Sequence, residues 1–294
     1  MPLLESFDLW FQNKSPELHW QKQKTLWSLK NRRRIQQHRQ IAQSLDPALG
    51  RIVEKLRKYG IAVTSFEELW GQEGAALFAT VQERGNELWS SAKDETSKHL
   101  NKEYKVSLLP VKLNWADPLF QLTLNPRLLA VANRYLGLCG YLREIDLWWD
   151  HPTETPAKET QLWHRDGDDF MSLKVFIYLT DVPAEAGPFC FIPGTHTVGP
   201  LRHLQIHPPR VSDERMEQVI SRNGWKICTG TAGSLIFCDT GGYHKGLKPV
   251  SQERLLFMMQ YTSGKPWYPR RFQPPESSPR VPLDFIQLQA LGTN

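Results

Sequence analysis

Between residues 141 and 262 the chain is a series of short apolar runs: YLREIDLWW, SLKVFIYLTDV, GPFCFIPG, GSLIFCDT and ERLLFMMQYT. Each is rich in aromatic or branched residues, and each is closed by glycine, proline or aspartate, the signature of strands separated by turns. Only VSDERMEQVISRNG, 211–224, has helical spacing within this region. Repeated helical crossovers are therefore missing, and a parallel sheet cannot be wound without them. The pattern predicts an antiparallel sandwich or barrel, and a jelly roll is the natural form for a segment of about 120 residues.

The preceding residues read differently. From Glu17 to Tyr59 the apolar spacing is helical, broken near LDPALG, where Asp46 before Pro47 has the form of an N-cap with proline in the first helical position. RIVEKLRKYGIAVTSF reads as a helix ended by Gly60 and followed by a short strand, and further helices are expected over Glu73–Lys98 and NPRLLAVANRYLG. From Pro266 the chain is proline-rich and is expected to wrap the surface. The expectation is a single α+β domain over 1–294: a mostly helical part at 1–140, a jelly-roll core at 141–265 and a tail at 266–294.

With 294 residues, 40% of them hydrophobic, the chain can bury a sizeable core. No apolar run approaches the roughly 20 residues that span a bilayer, and the first residues lack the basic-then-apolar order of a signal peptide. Cys139, Cys190, Cys228 and Cys238 show no CxxC spacing, and most lie in apolar runs, where a thiol behaves as a small hydrophobe. A reduced, cytoplasmic protein is expected. The formal charge of +5 is concentrated at one end, since residues 1–60 hold twelve Lys/Arg against five Asp/Glu. KNRRRIQQHR, 30–39, reads either as a phosphate-contacting arm or as a helix with a wet basic face, and its apolar spacing favours the helix. Nucleic acid is thus an unexpected partner; oligomeric state is left open.

The chemistry concentrates in LWHRDGDDF. In an extended segment His164 and Asp166 share a face while Arg165 points away, so the pair can grip one ion. HxD alone is weak. A third candidate is His244, which follows a predicted strand and the turn at Gly241 and Gly242. Two imidazoles and one carboxylate on one face of an octahedron leave three positions open, the arrangement of non-haem Fe(II) enzymes. Arg254, ten residues on, offers a bidentate fork for a carboxylate near such a metal.

These segments resemble the phytanoyl-CoA dioxygenase family of Fe(II)/2-oxoglutarate-dependent oxygenases, over roughly residues 141–262, with LRKYGIAV and NPRLLAVANRYLG similar to the family's opening elements. The resemblance implies a double-stranded β-helix, iron held by His164, Asp166 and His244, and 2-oxoglutarate chelating the iron with its distal carboxylate on Arg254. It also implies dioxygen as co-reactant, release of succinate and CO2, and hydroxylation of a small molecule, since a filled position 166 leaves no room for the halide of halogenating relatives. His196 in PGTH is implied to be a turn residue and not a ligand.

Several neighbours carry two readings. Lys174 either faces the interior, where its buried ammonium needs an anion such as a cosubstrate carboxylate, or lies on the outer face with its stem along the sheet. Trp149 and Trp163 either wall the site or belong to the core. Asp168 and Asp169 either orient a ligand histidine or cap the turn, and His151, His203 and His207 fall in loops near the mouth. Two further functions compete: a zinc or manganese hydrolase or isomerase on the same ligands, and a non-catalytic binding module with a basic N-terminal arm.

Overall fold

The computed structural model describes residues 15–41, 45–96, 104–109, 113–276 and 282–293. Three helices come first: α1 (Pro16–Lys30), α2 (Arg32–Ile41) and α3 (Pro47–Tyr59). The Asp46 side chain accepts from the Ala48 N–H at 2.7 Å with Pro47 following, as the sequence leads one to expect. Gly60 ends α3 in the left-handed region at φ +81° and turns the chain into β1 (Ile61–Ser65). Then follow α4 (Phe66–Trp70), α5 (Gly74–Thr96), β2 (Lys105–Ser107), α6 (Pro118–Thr123) and α7 (Pro126–Leu136). The expected continuation of α5 to Lys98 lies outside the described residues.

The strand series is β3 (Tyr141–Asp150), β4 (Leu173–Tyr178), β5 (Phe189–Phe191), β6 (Lys226–Cys228), β7 (Ser234–Cys238), β8 (His244–Gly246) and β9 (Arg254–Thr262). Every ladder is antiparallel. Six strands form one sheet in the order β1-β7-β4-β9-β3-β2, and three form a second, β6-β5-β8. Both edges of the larger sheet thus come from the first 140 residues, so the β-structure extends outside the 141–265 segment. The helix within 211–224 shrinks to α8 (Asp213–Glu217).

β4 and β9 are buried at every position because both of their faces are covered. Leu173, Val175 and Ile177 on β4, with Leu255, Phe257 and Met259 on β9, pack against the helices in the main core with Leu56, Leu128 and Val131. The alternate residues Phe176, Tyr178, Leu256 and Met258 point the other way and meet Phe189 and Phe191 of the small sheet. Lys174 and Arg254 share the second face by the period of two, and so aim between the sheets.

The tail is fastened to the core. Trp267 N–H donates to the Asp168 carbonyl at 3.0 Å, and Arg271 N–H to the Arg143 carbonyl at 2.9 Å. It ends in α9 (Phe285–Leu291), where Asp284 and Gln287 cap each other's backbone N–H groups. In the basic segment, Arg34 is committed to the carbonyls of Cys139 at 2.7 Å and Gln289 at 2.9 Å, while Arg32, Arg33 and Arg39 are exposed. All four cysteines are free and buried, and no helix of the described residues is long and apolar enough to cross a membrane.

Two helix-ending glycines separate conformational from steric cost. A Cβ on Gly60 would lie 2.6 Å from the His196 ring, whereas one on Gly137, at φ +72°, meets nothing within 4 Å. Gly137→Ala is expected to cost about 1 kcal/mol and Gly60→Ala more than about 2 kcal/mol. Urea unfolding midpoints measure both, and equal shifts would remove the steric component.

Candidate metal centre

His164 and His244 face each other across an antiparallel bridge. His164 N–H donates to the His244 carbonyl at 3.0 Å, and His244 N–H donates back at 2.9 Å. His164 thereby adds to the edge of the small sheet at β8, and a separate bridge joins Trp163 to Val211. The extended stretch is shorter than the sequence suggests: Asp166 already lies beyond the bridge, its N–H held by the Thr240 carbonyl at 2.8 Å. Arg165 does point away. Its guanidinium donates to the carbonyls of Thr195, Gly241 and Leu204, among others, and so ties the 164–169 loop to two neighbouring loops.

One nitrogen from each imidazole and one Asp166 oxygen all lie within 4.8 Å of one another. His164 Nε2 is 3.7 Å from Asp166 Oδ1, and His244 Nε2 is 3.7 Å from Asp166 Oδ2. Each Nδ1 faces a backbone carbonyl, Leu162 at 2.8 Å for His164 and Gly242 at 3.0 Å for His244. A carbonyl can only accept, so Nδ1 carries the proton and the Nε2 lone pair points at the shared space. Burial, followed by the neighbouring His244, pulls His164 down to about 3, and burial likewise lowers His244. Both rings are therefore neutral near pH 7, the form that ligates a metal. Burial alone would raise the Asp166 carboxyl. The Lys174 ammonium, with Nζ 2.8 Å from Oδ2, opposes it together with the two histidines and holds the group charged well below the usual carboxylate range.

The opposite wall belongs to the large sheet. Lys174 and Arg254 line, with all three residues of the triad, one cavity of about 210 Å³ between the sheets. Of the two readings for Lys174 the interior one describes the structure, with Asp166 as the anion beside it. Arg254 Nε donates to Asp150 Oδ2 at 2.9 Å, and Nη1 donates to the Gly187 carbonyl. The sequence places His244 and Arg254 on successive strands, but those strands are not neighbours: β8 is in the small sheet and β9 in the large one, so the two side chains meet across the cavity.

Both tryptophans singled out in the sequence are core residues. Trp163 is fully buried against Trp225 and donates to Asp213, and Trp149 packs on Trp89 and donates to Glu253. Trp148, on the other face of β3, lines the cavity instead. Neither Asp168 nor Asp169 touches a triad imidazole. Asp168 accepts from Gln260 at 2.9 Å and pairs with Arg143 at 3.1 Å, while Asp169 accepts the N–H groups of Phe170 and Ser263. His151 stacks on Trp149, His203 is paired with Glu17, His207 is exposed, and His196 is buried against the Arg57 carbonyl; none of the four lines this cavity. Four lining residues have no sequence signal: Lys105 sits on a three-residue strand, Arg210 and Arg271 in loops, and Glu144 beside a bulge in β3.

Similar folds occur in solved structures. EctD from S. alaskensis, in a structure with 2-oxoglutarate and 5-hydroxyectoine, superposes with a TM-score of 0.53 at 19% identity, covering 82% of this chain and 90% of that one. The epimerase SnoN, in complex with Fe3+, alpha ketoglutarate and nogalamycin RO, gives 0.52 at 17%, covering 80% and 98%. AviO1 from Streptomyces viridochromogenes gives 0.53 at 16%, covering 77% and 99%. At these identities the likeness establishes the fold, the jelly roll of the 2-oxoglutarate-dependent oxygenases. No curated protein matches the sequence. The family model for phytanoyl-CoA dioxygenase matches residues 53–254, a span that begins within α3, runs through His164, Asp166 and His244 and ends on Arg254; the chain belongs to the phytanoyl-CoA dioxygenase family.

Proposed function

We propose that the chain is an Fe(II)- and 2-oxoglutarate-dependent dioxygenase that hydroxylates a small organic molecule. One observation carries the reading: a neutral imidazole pair and a charged carboxylate converge in a cavity whose opposite wall bears an arginine. Two nitrogen donors and one oxygen donor suit a ferrous ion that keeps positions open for other ligands. His164, Asp166 and His244 would hold the iron, and Arg254 would receive the distal carboxylate of 2-oxoglutarate. When bound, iron, 2-oxoglutarate and dioxygen supply the oxidising chemistry, with succinate and CO2 as co-products.

The chain's own residues position and exclude. The carbonyls of Leu162 and Gly242 keep each Nδ1 protonated and each ring oriented. Asp150 fixes the Arg254 guanidinium from behind, and the apolar surfaces of Phe176, Phe189 and Leu256 keep part of the cavity wall dry. Lys174 serves Asp166 first, holding its carboxylate charged before any metal arrives. Zinc in the same site would give no visible band with 2-oxoglutarate, so anaerobic spectroscopy separates a hydrolytic centre from a ferrous one. SnoN is named an epimerase, so the outcome of oxidation is a separate question from the cofactor set, and product analysis decides between hydroxylation and its alternatives.

His164→Ala and His244→Ala are each expected to abolish succinate release and to lose the weak visible band that Fe(II) plus 2-oxoglutarate gives under anaerobic conditions. Retention of that band in both variants would refute the assignment. Arg254→Gln should raise the KM for 2-oxoglutarate roughly 10- to 100-fold, the value of a charge-assisted hydrogen bond; an unchanged KM would remove Arg254 from the cosubstrate. Lys174→Met leaves a buried carboxylate without its cation, so the metal-free protein should lose about 3 kcal/mol. Added Mn(II) should then stabilise the variant more than the wild type in thermal unfolding, and an equal gain would dissociate Lys174 from the metal carboxylate.

A further inference from the structure

The cavity holds more positive charge than its acids account for. Asp166 is matched by Lys174, Asp150 by Arg254, Asp168 by Arg143, and Glu144 by Arg143 and Arg271. Among the described residues, two lining cations have no carboxylate partner, Lys105 and Arg210. Lys105 lies over the Trp148 ring, 3.8 Å from its centroid, and Asp150 and Arg254 are among the charges it feels. Its Nζ donates to Thr160 Oγ1 at 3.2 Å. A ferrous ion and a dianionic oxo-acid cancel one another, so the excess persists after both have bound.

Arg210 is placed differently. It precedes Val211, which is pinned to Trp163 by two backbone hydrogen bonds of 3.0 Å, so its Cα is as fixed as the triad's own bridge. Among the described residues its guanidinium makes one hydrogen bond, from Nη1 to the Glu159 carbonyl at 3.0 Å, and its charge is felt by both triad imidazoles. Arg271 reaches the same cavity from the tail. Among the described residues its guanidinium pairs with Glu144 Oε1 at 3.1 Å alone, and its side chain is 59% exposed. A guanidinium carries five N–H donors, so most of the donors on both residues are uncommitted. Arg165, by contrast, spends its donors on backbone carbonyls.

We infer that the molecule oxidised by this enzyme is an anion, a carboxylate or a phosphate ester, whose charged group is received by Arg210 and Arg271 at the cavity wall while its reacting carbon faces the triad. This rests on the iron and 2-oxoglutarate reading above and adds the substrate class to it. The two arginines arrive on unrelated segments, the loop leading to α8 and the C-terminal tail, and both line the cavity that holds the triad and Arg254. Planar forks with free donors suit an oxyanion and give a neutral molecule nothing to neutralise them.

Calorimetric titration of the enzyme loaded with Fe(II) and 2-oxoglutarate under argon tests this without turnover. The probes are phenylacetate, phenyl phosphate and the neutral phenylacetamide. The expected result is binding of at least one anion roughly 10- to 100-fold tighter than the amide, as loss or gain of one charged hydrogen-bond set implies; the tighter anion identifies the headgroup. Arg210→Gln and Arg271→Gln should each bring the ratio of anion to amide affinity towards one, and Arg210→Lys should restore part of it. Equal affinity for the amide, an unchanged ratio in both variants, or no binding of either anion overturns the inference. The anaerobic visible band, recorded before any probe is added, separates the two levels: its absence defeats the iron reading, whereas its presence with the wrong selectivity defeats only the anion seat.

Discussion

The reciprocal hydrogen bonds between the backbones of His164 and His244 are the constraint from which the site follows. Residues that exchange both N–H···O bonds lie directly opposite one another, with Cα atoms about 5.5 Å apart and side chains on one face. Two imidazoles eighty residues apart in sequence thereby stand side by side, with ring centroids 4.3 Å apart. The bridge in turn depends on β8 pairing with β5, where Phe191 opposes His244. Asp166 needs only to follow two residues later, steadied by the Thr240 carbonyl. The pairing of the two imidazoles is thus a property of sheet register, while Arg165 and Lys174 steady the loop and the carboxylate beside them.

Bringing three ionisable groups out of water in one place is costly unless their charge states are arranged. Here the arrangement is divided between the sheets. The small sheet supplies the imidazoles, whose burial keeps them neutral, and the 164–169 loop beside it supplies the carboxylate. The large sheet supplies Lys174, which makes the charged form of that carboxylate the stable one. A jelly roll is suited to this because successive strands cross between its sheets, so β8 and β9 can present a histidine and an arginine to the same space from opposite sides. The buried chain of Arg143, Glu144, Asp168 and Gln260 beneath carries the same logic to the floor of the cavity, each charge met by another or by an amide.

What was legible in the sequence was whatever has a short period or a terminating residue. The runs ERLLFMMQYT and SLKVFIYL declare strands, Asp46-Pro47 and Gly60 declare the two ends of α3, and HRD with a histidine after Gly-Gly declares the triad. Which face a residue occupies was less legible. In β3 Trp148 and Trp149 are equally apolar, and the register shift between Leu142 and Glu144 decides the parity; the sequence has no mark for it, so the lining role of Trp148 cannot be told from the core role of Trp149. β2 is three residues long, too short for any alternation to register, yet it delivers Lys105. Arg210 and Arg271 lie in loops whose direction is set by tertiary hydrogen bonds, to Trp163 and Arg143 respectively, and local pattern carries no trace of either. The Asp284 and Gln287 cap of α9 follows a proline-rich segment whose composition masks the helix start.

The helical preface is not an appendage to this machinery. Leu49, Ile52, Val53 and Leu56 of α3 are buried in the main core, and β1 pairs with β7 along its whole length. Trp20 and Trp27 of α1 both rest on Phe170, with ring centroids 5.8 Å away in each case, and Trp20 Nε1 also donates to the Thr197 carbonyl at 2.9 Å. Phe170 closes the loop that begins at His164, so α1 buttresses that loop directly. A basic arm that could be cut away without consequence for the β-domain does not describe these residues: removing the first 60 would strip the support from Phe170 and take α3 away from β1, β7 and α7. The positive charge of this region is carried by exposed positions such as Arg32 and Arg33, while Trp20 and Trp27 face inward on Phe170.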